Sequence, residues 1–262
     1  MSVLLQVSDP HFGTERTPVV EALVALAAQL RPDLVVLSGD ITQRARTEQF
    51  SAARSVMDRL GAPLLALPGN HDIALFDLWS RFTRPYARYS AAFGANLAPV
   101  FSSNDLLVIG VNTTRARRHK DGEVSSEQID AVAEQLRRAT PEQLRVVVVH
   151  QPIDVMRAED LPNRLHNHTA AQQAWAAAGA DVVMGGHIHL PYVMPLPGLA
   201  RPLWAVQAGT AVSSRVRSGV PNSVNVVRWS PAAGCVVEQW DHSAAALAFE
   251  CAHSTPLQPQ RA

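Results

Sequence analysis

Cysteine is nearly absent from this chain of 262 residues: Cys235 and Cys251 are the only two. Neither sits in a CxxC pattern, which excludes a framework of stapling disulfides and a cysteine-based structural zinc site. Lysine is scarcer still, with Lys120 standing alone, so the basic charge is almost entirely arginine. Charge of either sign is not in excess: 23 Lys and Arg face 23 Asp and Glu. That balance gives no overall pull toward nucleic acid or an anionic membrane. No run of about 18 apolar residues occurs, so no membrane-spanning helix is expected. The opening "MSVLLQVSDP" has neither a basic region nor a long apolar core, so no signal peptide is expected and a cytoplasmic location fits.

The chain does have short apolar runs rich in Val, Leu and Ile. "SVLLQVSD", "DLVVLSGD", "PLLALPGN", "LLVIGVNTT", "RVVVVH" and "DVVMGGH" read as strands. Amphipathic patterns at "TPVVEALVALAAQLRP", "EQFSAARSVMDRLG", "SEQIDAVAEQLRRA" and "TAAQQAWAAAG" read as helices between them. Continuous apolar strands alternating with helices predict an α/β protein whose sheets are buried on both faces. From about residue 199 the texture becomes hairpin-rich, as in "SVNVVRWS" and "GCVVEQWDH", which predicts a further sheet packed face to face on the first. No composition shift marks a linker. The reading is one domain over 1–253, with "STPLQPQRA" at 254–262 as a solvated tail.

The residues just past each strand point to chemistry. The first run ends in Asp9, with His11 two residues on; the second ends in Gly39-Asp40 and the third in Gly69-Asn70-His71-Asp72. "RVVVVH" ends in His150 and "VVMGGHIH" in His187 and His189. Five apolar runs thus each deliver a candidate metal ligand beyond the C-terminal end of a strand, the edge at which open α/β sheets bind ligands. Carboxylate and amide oxygens with imidazoles suit a pair of divalent cations. Glycine before Asp40, Asn70 and His187 is read as freedom for a sharp turn. Alternation along an extended segment is read as putting His187 and His189 on one side.

The ordered series Asp9-x-His11, Gly39-Asp40, Gly69-Asn70-His71-Asp72, His150, Gly186-His187-x-His189 resembles the calcineurin-like metallophosphoesterases, in the order and spacing of the bacterial cyclic-nucleotide phosphodiesterases of class III. The resemblance implies a four-layer α-β-β-α sandwich of two packed mixed sheets with a dinuclear metal site at the strand ends. It implies Asp9, His11, Asp40 and His189 around one metal and Asp40, Asn70, His150 and His187 around the other, Asp40 bridging. Mn²⁺, Fe²⁺/Fe³⁺ or Zn²⁺ are the implied ions. The implied activity is hydrolysis of small phosphodiesters, 3′,5′-cyclic nucleotides being candidates, by attack of a metal-bridging hydroxide. A phosphomonoesterase, a nucleotide-sugar pyrophosphatase and a non-catalytic metal-binding sensor or scaffold are the alternatives. Metals about 3.5–4 Å apart activate a water and clamp phosphoryl oxygens during in-line displacement.

The resemblance makes His71 a non-ligand histidine that stabilises the transition state or protonates the leaving alkoxide, a task suited to an imidazole. Asp72 either orients His71 or caps a helix over "IALFDLWSRF". The stretch "GTAVSSRVRSGVPNS" offers Arg215 and Arg217 as anion contacts beside Ser213 and Asn222, although a solvated loop fits it as well. His119, His166 and His168 read as surface loop residues, with a place bordering the active site as the alternative, and Thr169 as a helix N-cap. The partner expected is a small phosphoester. A nucleic acid duplex is not, because no basic, aromatic-studded extension is present.

Overall fold

The computed structural model describes every residue except Phe76 and Ala262. Strands β1 (Ser2–Val7), β2 (Leu34–Ser38) and β3 (Leu64–Leu67) lie parallel, linked by helices α1 (Thr17–Leu30) and α2 (Thr47–Arg59). In a second sheet β5 (Leu106–Gly110), β6 (Leu144–Val148), β7 (Val182–Gly185) and β9 (Trp204–Gln207) are parallel. Helices α5 (Ser126–Arg137) and α6 (His168–Ala177) supply two of its crossovers, with β4 (Val100–Ser102) and β8 (Tyr192–Pro195) antiparallel at the two edges. Each sheet has six strands and both are mixed.

Alternating side chains of the buried strands feed two apolar layers at once. In β1, Val3, Leu5 and Val7 pack with Leu23 and Leu26 of α1 and Phe50 and Met57 of α2. Leu4 joins the layer between the sheets, with Val36, Leu67, Val146, Val148 and Met184. The far sheet packs Ile109 and Val147 against Ile129 and Val132 of α5 and Trp175 of α6. This is the expected α-β-β-α sandwich.

Four expectations are corrected. The hairpin strands β10 (Ser223–Ser230), β11 (Gly234–Ser243) and β12 (Ala248–Leu257) do not make a sheet of their own. β10 pairs antiparallel with β1, so the meander extends the first sheet, while the second sheet is built from the middle of the chain. Residues 254–257 of the expected tail are instead the end of β12: Leu257 is buried opposite Cys235, and beyond the strand Arg261 pairs with Asp181 at 2.9 Å and stacks over Trp229. Pro256 is accommodated because β12 is an edge strand. The helix expected over "IALFDLWSRF" begins only at Leu78 (α3, Leu78–Thr83), where Asp77 accepts from the Ser80 N–H at 3.0 Å; Phe76 lies outside the described residues. A further helix, α4 (Ala87–Phe93), follows. Thr169 is not a cap but sits in the first turn of α6, behind Asn167. Among the described residues no helix is long and apolar enough to cross a membrane.

Candidate metal centre

All the parallel strands end at one edge, where the loops after β1, β2, β3, β6 and β7 converge. Their side chains form two main groups, and His11, Asp40 and His71 make a third set between them. Asp9, His11 and His189 bring ligand atoms within 4.8 Å of one another, and so do Asp40, His150 and His187. Asp40 reaches both groups: its Oδ2 lies 3.9 Å from His11 Nε2 and its Oδ1 3.2 Å from His150 Nε2. In the first group His189 Nε2 is 3.3 Å from Asp9 Oδ1 and 3.1 Å from His11 Nε2. In the second, Asn70 Oδ1 stands 3.3 Å from His150 Nε2.

The backbone is distorted to achieve this. Asp9, His11, Asp40, His187 and His189 all adopt positive φ, between 43° and 73°. Only four other described non-glycine residues do so. Such conformations cost on the order of 1 kcal/mol or more each and gather at functional sites. The segment holding His187 and His189 is therefore not extended. Its two left-handed residues send His187 to the Asp40 group and His189 to the Asp9 group, which corrects the reading from alternation. The glycines divide likewise. Gly39 makes a turn at φ +97°, but Gly69, with φ −99°, is needed for close approach: a Cβ there would lie 2.0 Å from the Asp40 nitrogen. A Cβ on Gly186 would meet Ser8 Oγ at 2.1 Å.

Buried polar groups hold the ligand loops in register. Asp9 accepts from Ser8 Oγ at 2.6 Å and from the His187 N–H at 2.9 and 3.1 Å. His150 Nδ1 faces the Ser38 carbonyl at 2.9 Å, which fixes that nitrogen as the donor and leaves Nε2 toward the centre. Between the sheets, Gln6 donates to Ser38 Oγ and the Gly185 carbonyl, and Asn225, its register partner across β1 and β10, donates to Gln6 at 2.9 Å. Gln207 donates to the Gly186 carbonyl. Sequence reading missed these amides; glutamine and asparagine inside apolar strands were the available signal.

Electrostatics follow from burial and pairing. Burial alone would push His150 down, but the Asp40 carboxylate against it prevails and raises it to about 9. Burial resists the charge on Asp40, yet His150 and then His71 hold its carboxyl well below the usual range. Asp9 is held at about 2 against burial by the hydrogen bond and charge of His189. Burial pushes His11 down to about 3 and, with the charge of His150, His187 to about 4.

The donor set fits divalent cations. The Nδ1 atoms of His11 and His187 are buried with no hydrogen-bond partner, and the converging donors are oxygen and nitrogen only. A cation requires neutral imidazoles, so it must displace the His150 proton. Titrating metal-stripped protein at pH 7.5 in buffers of different ionisation enthalpy is therefore expected to show net proton release, from His150 and from His189, which Asp9 raises against burial, with affinity rising toward pH 9. Affinity independent of pH between 6 and 9 would contradict this. In the metal-stripped chain the His150–Asp40 pair stabilises the fold fully below 6.5, and that contribution is lost as pH rises through about 9.

The remaining candidates separate. His71 donates its backbone N–H to Asp40 Oδ1 at 2.8 Å, and its Nδ1 faces the Gln43 carbonyl at 3.0 Å. Arg215 reaches His71 Nε2 at 3.4 Å and Gln43 Oε1 at 2.9 Å, and lines the cavity. Arg217 does not reach the ligands: it pairs with Asp160 at 2.9 Å and with Glu159, fastening a 3₁₀ turn at Ala158–Asn163. Ser213 and Asn222 brace the same loop from inside. His119, read as a surface loop residue, lines the cavity together with Lys120, Asn70, His187 and His189. Gln151, beside His150, donates to the Lys120 carbonyl at 3.1 Å and ties that loop down.

Asp72 neither orients the His71 ring nor caps a helix starting at residue 73. Its carboxylate accepts from the N–H groups of Ile41, Thr42 and Gly69 at 2.8–3.0 Å and from Thr42 Oγ1 at 2.8 Å, sewing the β2 loop to the β3 loop. Burial, then the charge on Asp40, pushes it up to about 6. Asp72→Ala strands these donors and is expected to cost about 3 kcal/mol, read by chemical denaturation of metal-stripped protein. A loss below about 1 kcal/mol would show that water replaces the clamp.

The family model for calcineurin-like phosphoesterases matches residues 2–191. The chain belongs to the calcineurin-like phosphoesterases. It is a metal-dependent phosphoester hydrolase of that family. A probable cyclic nucleotide phosphodiesterase of Synechococcus sp. is 25% identical over 206 residues, covering 72% of this chain and 74% of that protein. The glycerophosphodiester phosphodiesterase GpdQ of Enterobacter lignolyticus is 39% identical over 83 residues, 27% of this chain and 29% of that one. Among solved structures, a dimetal phosphatase from Danio rerio superposes with a TM-score of 0.67 at 13% identity, over 99% of both chains.

Proposed function

We propose that this calcineurin-like phosphoesterase hydrolyses small phosphodiesters, with 3′,5′-cyclic nucleotides the first class to test. The observation that carries the reading is Asp40, whose two oxygens face two separate histidine groups, as a carboxylate shared by two cations would. Asp9, His11, Asp40 and His189 would hold one cation, and Asp40, Asn70, His150 and His187 the other. Mn²⁺, Fe²⁺/Fe³⁺ and Zn²⁺ all suit these donors. Two such ions supply Lewis acidity and a nucleophilic water at neutral pH.

The chain's own residues do the rest. Asn70 contributes an oxygen without charge, which keeps the centre attractive to an anion. Arg215 fixes a phosphoryl oxygen through its guanidinium fork. His71, its Nδ1 donating to the Gln43 carbonyl, delivers a proton from Nε2 to the departing alkoxide once Arg215 has turned from that nitrogen to the phosphoryl oxygen. Relatives described as phosphodiesterases acting on cyclic nucleotides and on glycerophosphodiesters support a diester substrate without choosing between the two. The test is hydrolysis of bis(p-nitrophenyl) phosphate against p-nitrophenyl phosphate by chelator-stripped protein with Mn²⁺ restored. Metal-dependent preference for the diester supports the proposal. Preference for the monoester makes the protein a phosphatase, and two bound metals with neither substrate turned over points to a sensor or scaffold.

A further inference from the structure

We propose that the arginine-lined cleft beside the metal centre is a subsite for a second phosphate group on the substrate. This rests on the diesterase reading above and narrows its substrate class. The cavity over the ligands, about 260 Å³, opens into a larger cleft of about 730 Å³. The two share Asn70, His71, His119 and Arg215, so a molecule with its scissile phosphate at the ligands extends past His71 into the cleft. Its volume lies in the range that accepts a nucleotide-sized ligand.

The charged lining of the cleft is mostly cationic. Arg44, Arg46, Arg88 and Arg215 line it, against one carboxylate, Asp77. Asp77 is already held by Arg88 at 3.0 Å, and Arg88 also donates to the Ala45 carbonyl at 3.1 Å. Among the described residues, no carboxylate pairs with Arg46 or Arg215. A simple diester carries one negative charge, which the centre and Arg215 suffice to hold; it offers nothing to Arg46. Arginines gathered in a concave wall match a phosphate dianion through forked hydrogen bonds. Ile73, Ala74 and Leu75 add an apolar stretch to the same wall, against which a sugar or base can lie. Because the cleft lies beyond His71, the second phosphate belongs to the part of the substrate that leaves. The class is a phosphodiester whose leaving alcohol bears another phosphate.

The test compares product-like ligands on the Mn²⁺-loaded protein by calorimetry: thymidine 3′,5′-bisphosphate against thymidine 3′-phosphate and 5′-phosphate. The bisphosphate is expected to bind about ten-fold tighter than the better monophosphate. Arg46→Glu is expected to reduce that advantage to two-fold or less, with an unchanged melting profile showing that the variant is folded. No advantage for the bisphosphate overturns the subsite, as does an advantage that survives both Arg46→Glu and Arg88→Gln. Turnover of bis(p-nitrophenyl) phosphate by the same preparation separates the two readings. Turnover without a bisphosphate advantage removes the subsite alone. A bisphosphate advantage without turnover removes the diesterase reading and keeps the subsite.

Discussion

Asp40→Asn is expected to lower kcat/KM for bis(p-nitrophenyl) phosphate by about a thousand-fold, equivalent to about 4 kcal/mol of transition-state stabilisation. The size follows from position. Asp40 presents one oxygen to His11 and the other to His150, and its Oδ1 also accepts the His71 N–H. An amide in its place turns a donor toward one of these groups and removes a negative charge from between two cations. Metal content measured alongside is expected to drop below two per chain. The metal-stripped variant is expected to keep the wild-type circular dichroism, because the layers of buried apolar side chains do not involve this residue. Asp40→Asn protein with two metals bound and activity within ten-fold of wild type would show that Asp40 is not shared.

His71→Ala is expected to leave both metals in place and to act on proton transfer. With a simple alkyl diester the loss is expected at about 10²–10⁴ in kcat, the usual worth of a positioned general acid. With p-nitrophenol as leaving group it is expected to be about ten-fold or less, since that anion departs without a proton. The contrast between leaving groups is the informative quantity. A ligand lost from the centre would slow both substrates alike, whereas an acid lost from beside it slows mainly the poorer leaving group. Equal losses on both substrates would assign His71 to the electrostatics of the centre instead.

The sequence showed the sandwich and the site unevenly. Valine-rich runs are buried on both faces whatever their neighbours, so β2, β5, β6 and β7 were legible as core strands. Short edge strands such as β4 and β8 leave weaker traces, because only one side of the strand is paired and half its residues face solvent. The meander β10–β12 was legible as strands but misplaced, since hairpin pairing is local while the pairing of β10 with β1 spans more than two hundred residues. Pro256 read as tail because proline is rare in strands; its place on an edge is a tertiary fact.

For the site, the residue types were written in the chain: Asp9, His11, Asp40, Asn70, His150, His187 and His189 each stand just beyond a strand, and parallel strands bring their ends together. What each neighbour does was not legible there. Asp72 looks like a partner for the histidine beside it, yet a 3₁₀ turn swings its carboxylate to the β2 loop, where two backbone donors and a hydroxyl claim it beside the Gly69 N–H of its own loop. Arg215 and Arg217 differ by two positions and look alike in sequence. Folding turns one to His71 and spends the other on Asp160, because that acid comes from a separate loop that only the tertiary structure brings near. Local periodicity and donor type determine strands and ligands from sequence alone. Side-chain partners depend on contacts between segments far apart in the chain, and only the packed structure decides them.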